Sequence, residues 1–146
     1  MILSKCVLGL DYGQRRIGVA ISDGLGLTAQ PLDTIINSKN KAIEKIKEII
    51  EARDVGRIVI GLPKHMNNDE GIKAEEARYF GDALKNATGL EIDFIDERLT
   101  TVAAQRILME TNMSGQKKRQ VIDKLAAAII LQIWLDSQSH KKINPF

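Results

Sequence analysis

The sequence predicts an α/β fold: a five-stranded mixed sheet, antiparallel in its first three strands, with helices on both faces. Two observations support this prediction. Three apolar runs of strand length come first, and after about residue 40 helical and strand patterns alternate. The predicted order is βββαβαβαα. The 146 residues are enough for one domain, which we assign to 1–138, followed by a flexible tail at 139–146.

Each of the first three strands has its own pattern. The continuous apolar run 6–10 is typical of a strand buried on both faces, and a turn through 11–16 leads to a second run at 17–21. The third strand, 27–36, contains Pro31. Because proline lacks a donor N–H, this residue favours a position at the edge of the sheet.

The rest of the chain alternates between helical and strand spacing. Apolar residues three and four apart predict a helix over 43–50. Asp69 is placed to cap a second helix, which Gly89 can end. The remaining predicted elements are strands at 57–61 and 91–95 and helices at about 100–111 and 119–137.

The composition excludes several kinds of site. Cys6 is the single cysteine and there are two histidines, so neither an internal disulfide nor a thiolate or histidine-rich metal site can form. Lys and Arg number 21 against 19 Asp and Glu, and this net charge of +2 does not by itself predict a polyanionic partner. The N-terminus lacks a signal-peptide pattern and the apolar runs are short, so we expect a cytoplasmic protein without a membrane partner.

Three carboxylates occupy positions that predict a metal site. Asp11 follows the most apolar strand, Glu97 follows the fifth strand, and Asp123 lies near the start of the last helix. Ligands of open α/β sheets collect at the carboxyl ends of strands. Three oxygen ligands without His or Cys suit Mg²⁺ or Mn²⁺, which promote phosphodiester hydrolysis. The small residues Ala126 and Ala127 would let the last helix approach the sheet closely.

Each carboxylate also has a simpler interpretation. Asp11 could begin the hairpin turn, and Asp123 could be a first-turn acid favoured by the helix dipole. Glu97 could pair with its neighbour Arg98 or face solvent. The three together favour a site, because the apolar setting of Asp11 calls for a compensating partner.

Basic residues near these carboxylates are candidates for binding nucleic-acid phosphates. They are Arg15, Arg16, Lys117, Lys118 and Arg119, with Arg98 beside Glu97. Charge runs are also typical of a solvated face. Aromatic residues make up only 4% of the chain, so we expect recognition of nucleic-acid backbone and shape rather than base stacking.

Three glycines around the hairpin, Gly9, Gly13 and Gly18, would permit another group to approach the backbone closely. That group could be a phosphate. It could equally be another segment of the chain, and tight packing explains the glycines at least as well.

Short motifs resemble the YqgF (RuvX-like) family over essentially 7–135. In order, they are GLDYG at 9–13, RIGVA at 16–20, SD at 22–23, IGLP at 60–63, DERLTT at 96–101 and DKLAA at 123–127. The resemblance implies an RNase H-like fold related to RuvC-type Holliday junction resolvases. It also implies a nuclease for 5′-end processing of precursor 16S rRNA, in a family earlier assigned as junction resolvases. The family's acidic site maps onto Asp11, Glu97 and Asp123.

Two positions depart from the family pattern. RNase H-like nucleases generally use four acidic residues, and the position one turn after Asp123 is Ala126 here. An incomplete second metal site is the expected consequence. The loop after the fourth strand reads Met66-Asn67-Asn68 where the family usually has Met-Asp/Asn-Gly, and asparagine still tolerates a left-handed turn.

The leading hypothesis is a Mg²⁺- or Mn²⁺-dependent nuclease acting on precursor rRNA, with the ribosome or the assembling small subunit as a further partner. One alternative is a Holliday junction resolvase, for which symmetric cutting favours a two-fold dimer over a monomer. Another is a non-catalytic rRNA-binding assembly factor, supported by the missing fourth acid. An actin-like phosphotransferase also begins with a strand ending in Asp-x-Gly, but that class closes two domains around its nucleotide.

Overall fold

A computed structural model describes residues 5–38, 40–62, 68–96 and 115–143. The elements are β1 (Cys6–Tyr12), β2 (Arg16–Ser22), β3 (Ala29–Ile36), α1 (Asn40–Arg53), β4 (Val55–Leu62), α2 (Asn68–Thr88), β5 (Glu91–Asp96) and α3 (Gly115–Ile143). The predicted strands are therefore all present. The helix predicted at about 100–111 lies outside the described residues, as do Met66, Asn67, Glu97 and Arg98.

The five strands form one mixed sheet in the order β3-β2-β1-β4-β5. The first three strands pair antiparallel, whereas β4 pairs parallel to both β1 and β5. This confirms the predicted mixed sheet. Pro31 lies in β3 at one edge, opposite Ala20 and next to a register irregularity, where its missing N–H interrupts the ladder least.

Helices cover both faces of the sheet, as predicted. On one face, α1 and α2 bury side chains such as Ile46 and Phe80 against Leu8, Leu10 and the alternate residues of β2 and β4. On the other face, α3 forms a second core with Ala20 and Val59, to which it contributes Ala127, Ala128, Ile130, Leu131 and Leu135. Side chains along a strand point alternately into the two cores. Odd- and even-numbered residues of one strand therefore contact helices on opposite faces of the sheet.

Two glycines let α3 pack directly on the backbone of β1 and β2. A Cβ placed on Gly9 would lie 2.7 Å from Cβ of Leu131 and 3.0 Å from the carbonyl oxygen of Ala127. A Cβ on Gly18 would overlap the backbone carbonyl of Asp123. Of the two explanations for these glycines, close packing of another backbone is the one seen here.

Several element boundaries differ from the prediction. Asp11 and Tyr12, predicted in the turn, belong to β1 and pair with Gly18 and Ile17, because ladder bonds are made by the backbone whatever the side chain. Helix α2 begins at Asn68, so Asp69 lies inside it rather than at its cap.

Helix α3 is longer than the predicted 119–137. It runs from Gly115 to Ile143, so residues 139–143 of the predicted flexible tail are helical. The predicted end at residue 137 followed the apolar pattern. The helix continues beyond it because a helical backbone does not require an apolar face. Of the helices in the described ranges, none has the length and apolar character needed to cross a membrane.

Asp23 organises the β2–β3 hairpin. Its carboxylate accepts hydrogen bonds from the Leu27 amide at 2.8 Å and the Thr28 hydroxyl at 3.2 Å, and Gly26 takes a positive φ of 71° in the turn. The Leu27 amide, with smaller contributions from Thr28 and Gly26, lowers the pKa of Asp23 below 3.8.

We expect the Gly18→Ala variant to lose about 1–3 kcal/mol or more of unfolding free energy, because the added methyl group must push α3 off β2. Urea unfolding measures the change. The matched control is Gly24→Ala, since a Cβ at Gly24 meets nothing within 4 Å and should change stability by less than about 0.5 kcal/mol. Equal effects of the two substitutions would contradict the close contact.

The lowered pKa of Asp23 predicts a pH dependence of stability. Because the folded-state pKa is below the ordinary 3.8, ionised Asp23 stabilises the hairpin above that pH, and this contribution disappears as the pH falls through the folded-state pKa. A carboxyl-carbon NMR titration should place the midpoint of Asp23 below 3.8. A midpoint at or above that value would show that the hydrogen bonds are not maintained in solution.

Candidate metal centre and nucleic-acid interface

Asp11 lies at the carboxyl end of β1 on the face covered by α3. Leu8 and Leu10 point into the core beneath α1 and α2, whereas Gly9 faces α3. Strand alternation therefore directs Asp11 to the same side as Gly9. Its side chain is half-buried. The simpler interpretation of Asp11 as a turn residue is not supported, because it belongs to the ladder.

Gly18 brings Asp11 and Asp123 together. It is the ladder partner of Asp11, and its Cα faces the backbone carbonyl of Asp123 so closely that no side chain fits between them. The two predicted metal ligands thus lie on either side of a single residue, although they are far apart in the sequence. The structure therefore places the backbones of Asp11 and Asp123 beside the same glycine, and their role as metal ligands stays a prediction.

Arg16 forms an ion pair with Asp123. Its Nε donates to Oδ2 of Asp123 at 2.6 Å. Arg16 is two residues before Gly18 on β2 and so shares the α3 face, while Ile17 between them points into the opposite core. The side chains are 31% and 19% exposed, which places the pair between surface and interior. Sequence reasoning proposed both residues but did not anticipate their contact, because the partners are 107 positions apart.

Asn37 holds the turn that precedes Arg16. Its side-chain amide donates to the carbonyl of Gly13 at 2.8 Å, and its backbone N–H donates to the carbonyl of Arg15 at 2.8 Å. A Cβ on Gly13 would lie 2.6 Å from the carbonyl oxygen of Arg16, so the turn is compact. Sequence reasoning missed Asn37. A polar residue after a strand is ordinary, and its role appears only once β3 lies beside β2.

The donor set fits a hard divalent cation. Asp11 and Asp123 offer only carboxylate oxygens, which Mg²⁺ and Mn²⁺ prefer. Glu97 immediately follows Asp96, the last residue of β5, and lies outside the described residues. Within the described ranges there is no group of three or more His, Cys, Asp or Glu side chains arranged to hold a metal, so Glu97 as the third ligand stays a prediction.

Ala126 is the residue at which the family resemblance predicts a missing fourth acid. Its side chain is 1% exposed, one helical turn after Asp123. The neighbouring Ala127 is fully buried against the sheet. The position is thus used for packing, and it supplies no ligand.

The candidate phosphate contacts lie near the start of α3 and in the β1–β2 turn. Arg15, Lys117 and Arg119 are exposed, and Lys118 is half-buried. Lys117 and Lys124 line a groove of about 340 Å³ beside Asp33 and Thr34 of the edge strand β3. Along the helix axis, position 117 lies about 9 Å from Asp123, at a rise of 1.5 Å per residue. Arg98 lies outside the described residues.

The start of α3 is also fixed to the sheet edge. The hydroxyl of Thr34 on β3 donates to the backbone carbonyl of Gln120 at 2.6 Å. At the other end, Nε1 of Trp134 donates to Asp93 at 2.9 Å, and Arg57 pairs with the same carboxylate at 3.0 Å. The position of Asp123 is therefore set by contacts along much of the helix.

The sheet order and the helix across its antiparallel half define an RNase H-like α/β protein. The fold is similar to that of Thermus thermophilus RuvC. The structure of RuvC in complex with a Holliday junction superposes with a TM-score of 0.58 at 14% identity, covering 92% of this chain and 96% of that one. A second RuvC structure gives a TM-score of 0.56 at 13% identity, with the same coverage.

The chain belongs to the RuvX family, described as Holliday junction resolvase, which it matches over residues 5–137. A Clostridioides difficile relative is 50% identical over 136 residues, covering 92% of this chain and 96% of the relative. A Pelotomaculum thermopropionicum relative is 45% identical over 138 residues, covering 93% and 90%. Both relatives are named as candidate pre-16S rRNA nucleases. The family resemblance seen in the motifs is confirmed.

Proposed function

We propose that this protein is a divalent-metal-dependent nuclease that processes the 5′ end of precursor 16S rRNA during ribosome biogenesis. The observation that carries the proposal is the meeting of Asp11 and Asp123 across Gly18, at the carboxyl end of β1. The names of relatives 45–50% identical to this chain favour the rRNA substrate. Such a substrate implies a cytoplasmic location and contact with the assembling small subunit.

Asp11, Asp123 and Glu97 would hold Mg²⁺ or Mn²⁺. The ion would supply Lewis-acid stabilisation of the charge that develops on the phosphate oxygens. The chain's own contribution is preorganisation, because the direct contact of α3 with β2 fixes how far Asp123 lies from Asp11. Arg15, Lys117, Lys118 and Arg119 would bind phosphates flanking the cleaved bond.

A Holliday junction resolvase is the second candidate function. The family description favours it. This activity would require a two-fold dimer, so that two sites cut opposite strands. The rRNA activity can be carried out by a monomer or a homodimer.

The first test uses end-labelled RNA spanning the 5′ boundary of 16S rRNA and a four-way DNA junction, each with Mg²⁺ and then Mn²⁺. We expect Asp11→Asn to lower RNA cleavage by about 100-fold, because about 2.7 kcal/mol of transition-state stabilisation depends on this ligand of the metal. RNA binding should persist. The matched control is Asp82→Asn, an exposed position on α2 across the sheet, which should cleave like the wild type.

The outcomes separate the functions. Cleavage of RNA by the wild type and not by Asp11→Asn supports the proposal, and the cut position identifies the processing site. Cleavage of the junction alone favours the resolvase. RNA binding with no Asp11-dependent cleavage favours an assembly factor, the function with which the buried Ala126 is also compatible.

The second test measures the phosphate contacts. If Arg15 and Lys117 each neutralise one phosphate, Arg15→Gln and Lys117→Gln should each reduce the slope of log K against log [salt] by about 0.7 for single-stranded RNA. Fluorescence anisotropy over a salt series measures this slope. Lys41→Gln on α1, at the opposite face, is the control and should leave the slope unchanged. An unchanged slope in both Arg15→Gln and Lys117→Gln would show that the RNA binds elsewhere.

A further inference from the structure

We propose that Arg16 exchanges its partner during function: its guanidinium, which pairs with Asp123, passes to a nucleic-acid phosphate when a divalent cation binds Asp123. Arg16 would then be a positioning residue that couples metal binding to nucleic-acid binding. This inference rests on the proposed metal-dependent nuclease and concerns how its site is regulated.

The contact between Arg16 and Asp123 uses only part of the guanidinium. Nε donates to Oδ2 of Asp123 at 2.6 Å. Among the described residues, the terminal Nη1 and Nη2 groups have no hydrogen-bond partner. An arginine presents five N–H donors in a planar fork suited to phosphate oxygens. Arg16 can therefore hold the carboxylate by one edge while its outer edge meets a phosphate.

The same ion pair opposes metal binding. Arginine stays protonated in proteins, so Asp123 always faces a permanent positive charge in this arrangement. The side chains are 31% and 19% exposed, so water screens the interaction less than at an open surface. A second cation approaching Asp123 is repelled by Arg16 and competes with it for Oδ2. The ion pair with Arg16 thus stabilises Asp123 and weakens the affinity of the site for metal.

Removing the charge of Arg16 should leave Asp123 in place. The backbone of Asp123 is held against Gly18, and the preceding turn of α3 is held by the Thr34 bond to Gln120. Neither contact involves Arg16. The Arg16→Gln variant therefore changes the charge beside Asp123 while the helix position is kept.

Binding of a nucleic-acid phosphate to Arg16 also favours the exchange. Once a cation engages Asp123, Arg16 loses its counter-ion, and a nucleic-acid phosphate is the anion that replaces it. Exposed Arg15 is next in sequence and adds to the positive potential there. Because coupling between two ligands is reciprocal, the nucleic acid should raise metal affinity by the same factor as the metal raises nucleic-acid affinity.

The experiment measures Mn²⁺ affinity of the full chain from the electron paramagnetic resonance signal of free Mn²⁺, with and without a 2′-O-methyl RNA oligonucleotide. Without oligonucleotide, we expect Arg16→Gln to bind Mn²⁺ about fivefold more tightly than the wild type. Arg16→Lys, which keeps the charge, and Lys41→Gln, which removes a charge from α1 on the opposite face, should stay within about twofold of the wild type. The oligonucleotide should tighten Mn²⁺ binding less in Arg16→Gln than in Lys41→Gln.

Two further results would overturn the inference in distinguishable ways. If Asp123→Asn abolishes Mn²⁺ binding but Arg16→Gln binds no more tightly than Lys41→Gln, the metal site stands and the exchange is wrong. If Mn²⁺ binding is insensitive to Asp123→Asn, the proposed metal site fails, and the exchange fails with it. Far-UV circular dichroism and the urea midpoint of each variant verify that the compared proteins are folded.

Discussion

The contact between Gly18 of β2 and the backbone of Asp123 on α3 is the constraint on which the rest of the site depends. A helix normally packs on a sheet through side chains that separate the two backbones. Here a Cβ on Gly18 would overlap the Asp123 carbonyl, so the backbones themselves touch. Gly9 extends the contact to Leu131. Because α3 packs directly on β2, its Asp123 lies beside Gly18, which is the ladder partner of Asp11 on the neighbouring strand β1.

Two carboxylates near the end of a buried strand repel each other, and the positive charge of Arg16 offsets part of this repulsion. The charges of Asp11 and Asp123 disfavour each other when neither is compensated. The Arg16–Asp123 pair, at 2.6 Å, compensates one of them within the protein itself. Functional sites often lower the stability of the fold that carries them. In this protein the stabilising partner and a candidate substrate contact are the same residue.

The RuvC structures share the fold of this chain, whereas the RuvX relatives also share its sequence. At 13–14% identity the RuvC structures share the fold, and the sheet order with its covering helix is what is common. At 45–50% identity the RuvX relatives share the sequence along nearly the whole chain. Ala126 is buried in the packing of α3 and has no side-chain atom that could bind a metal.

Local patterns in the sequence determined the five strands, the helical stripe of α1, Pro31 at a sheet edge, and Asp11 and Asp123 as candidates. These follow from side-chain period and from the cost of charge beside apolar residues, which need no knowledge of distant contacts. Only the tertiary structure decided that Asp11 belongs to the ladder and that the backbone of α3 packs against Gly9 and Gly18. The same is true of Asn37, which fixes the turn, and of Arg16, which pairs with a residue 107 positions away. Each of these depends on which strands become neighbours and how closely α3 approaches them, and periodicity along the chain carries no information about that distance.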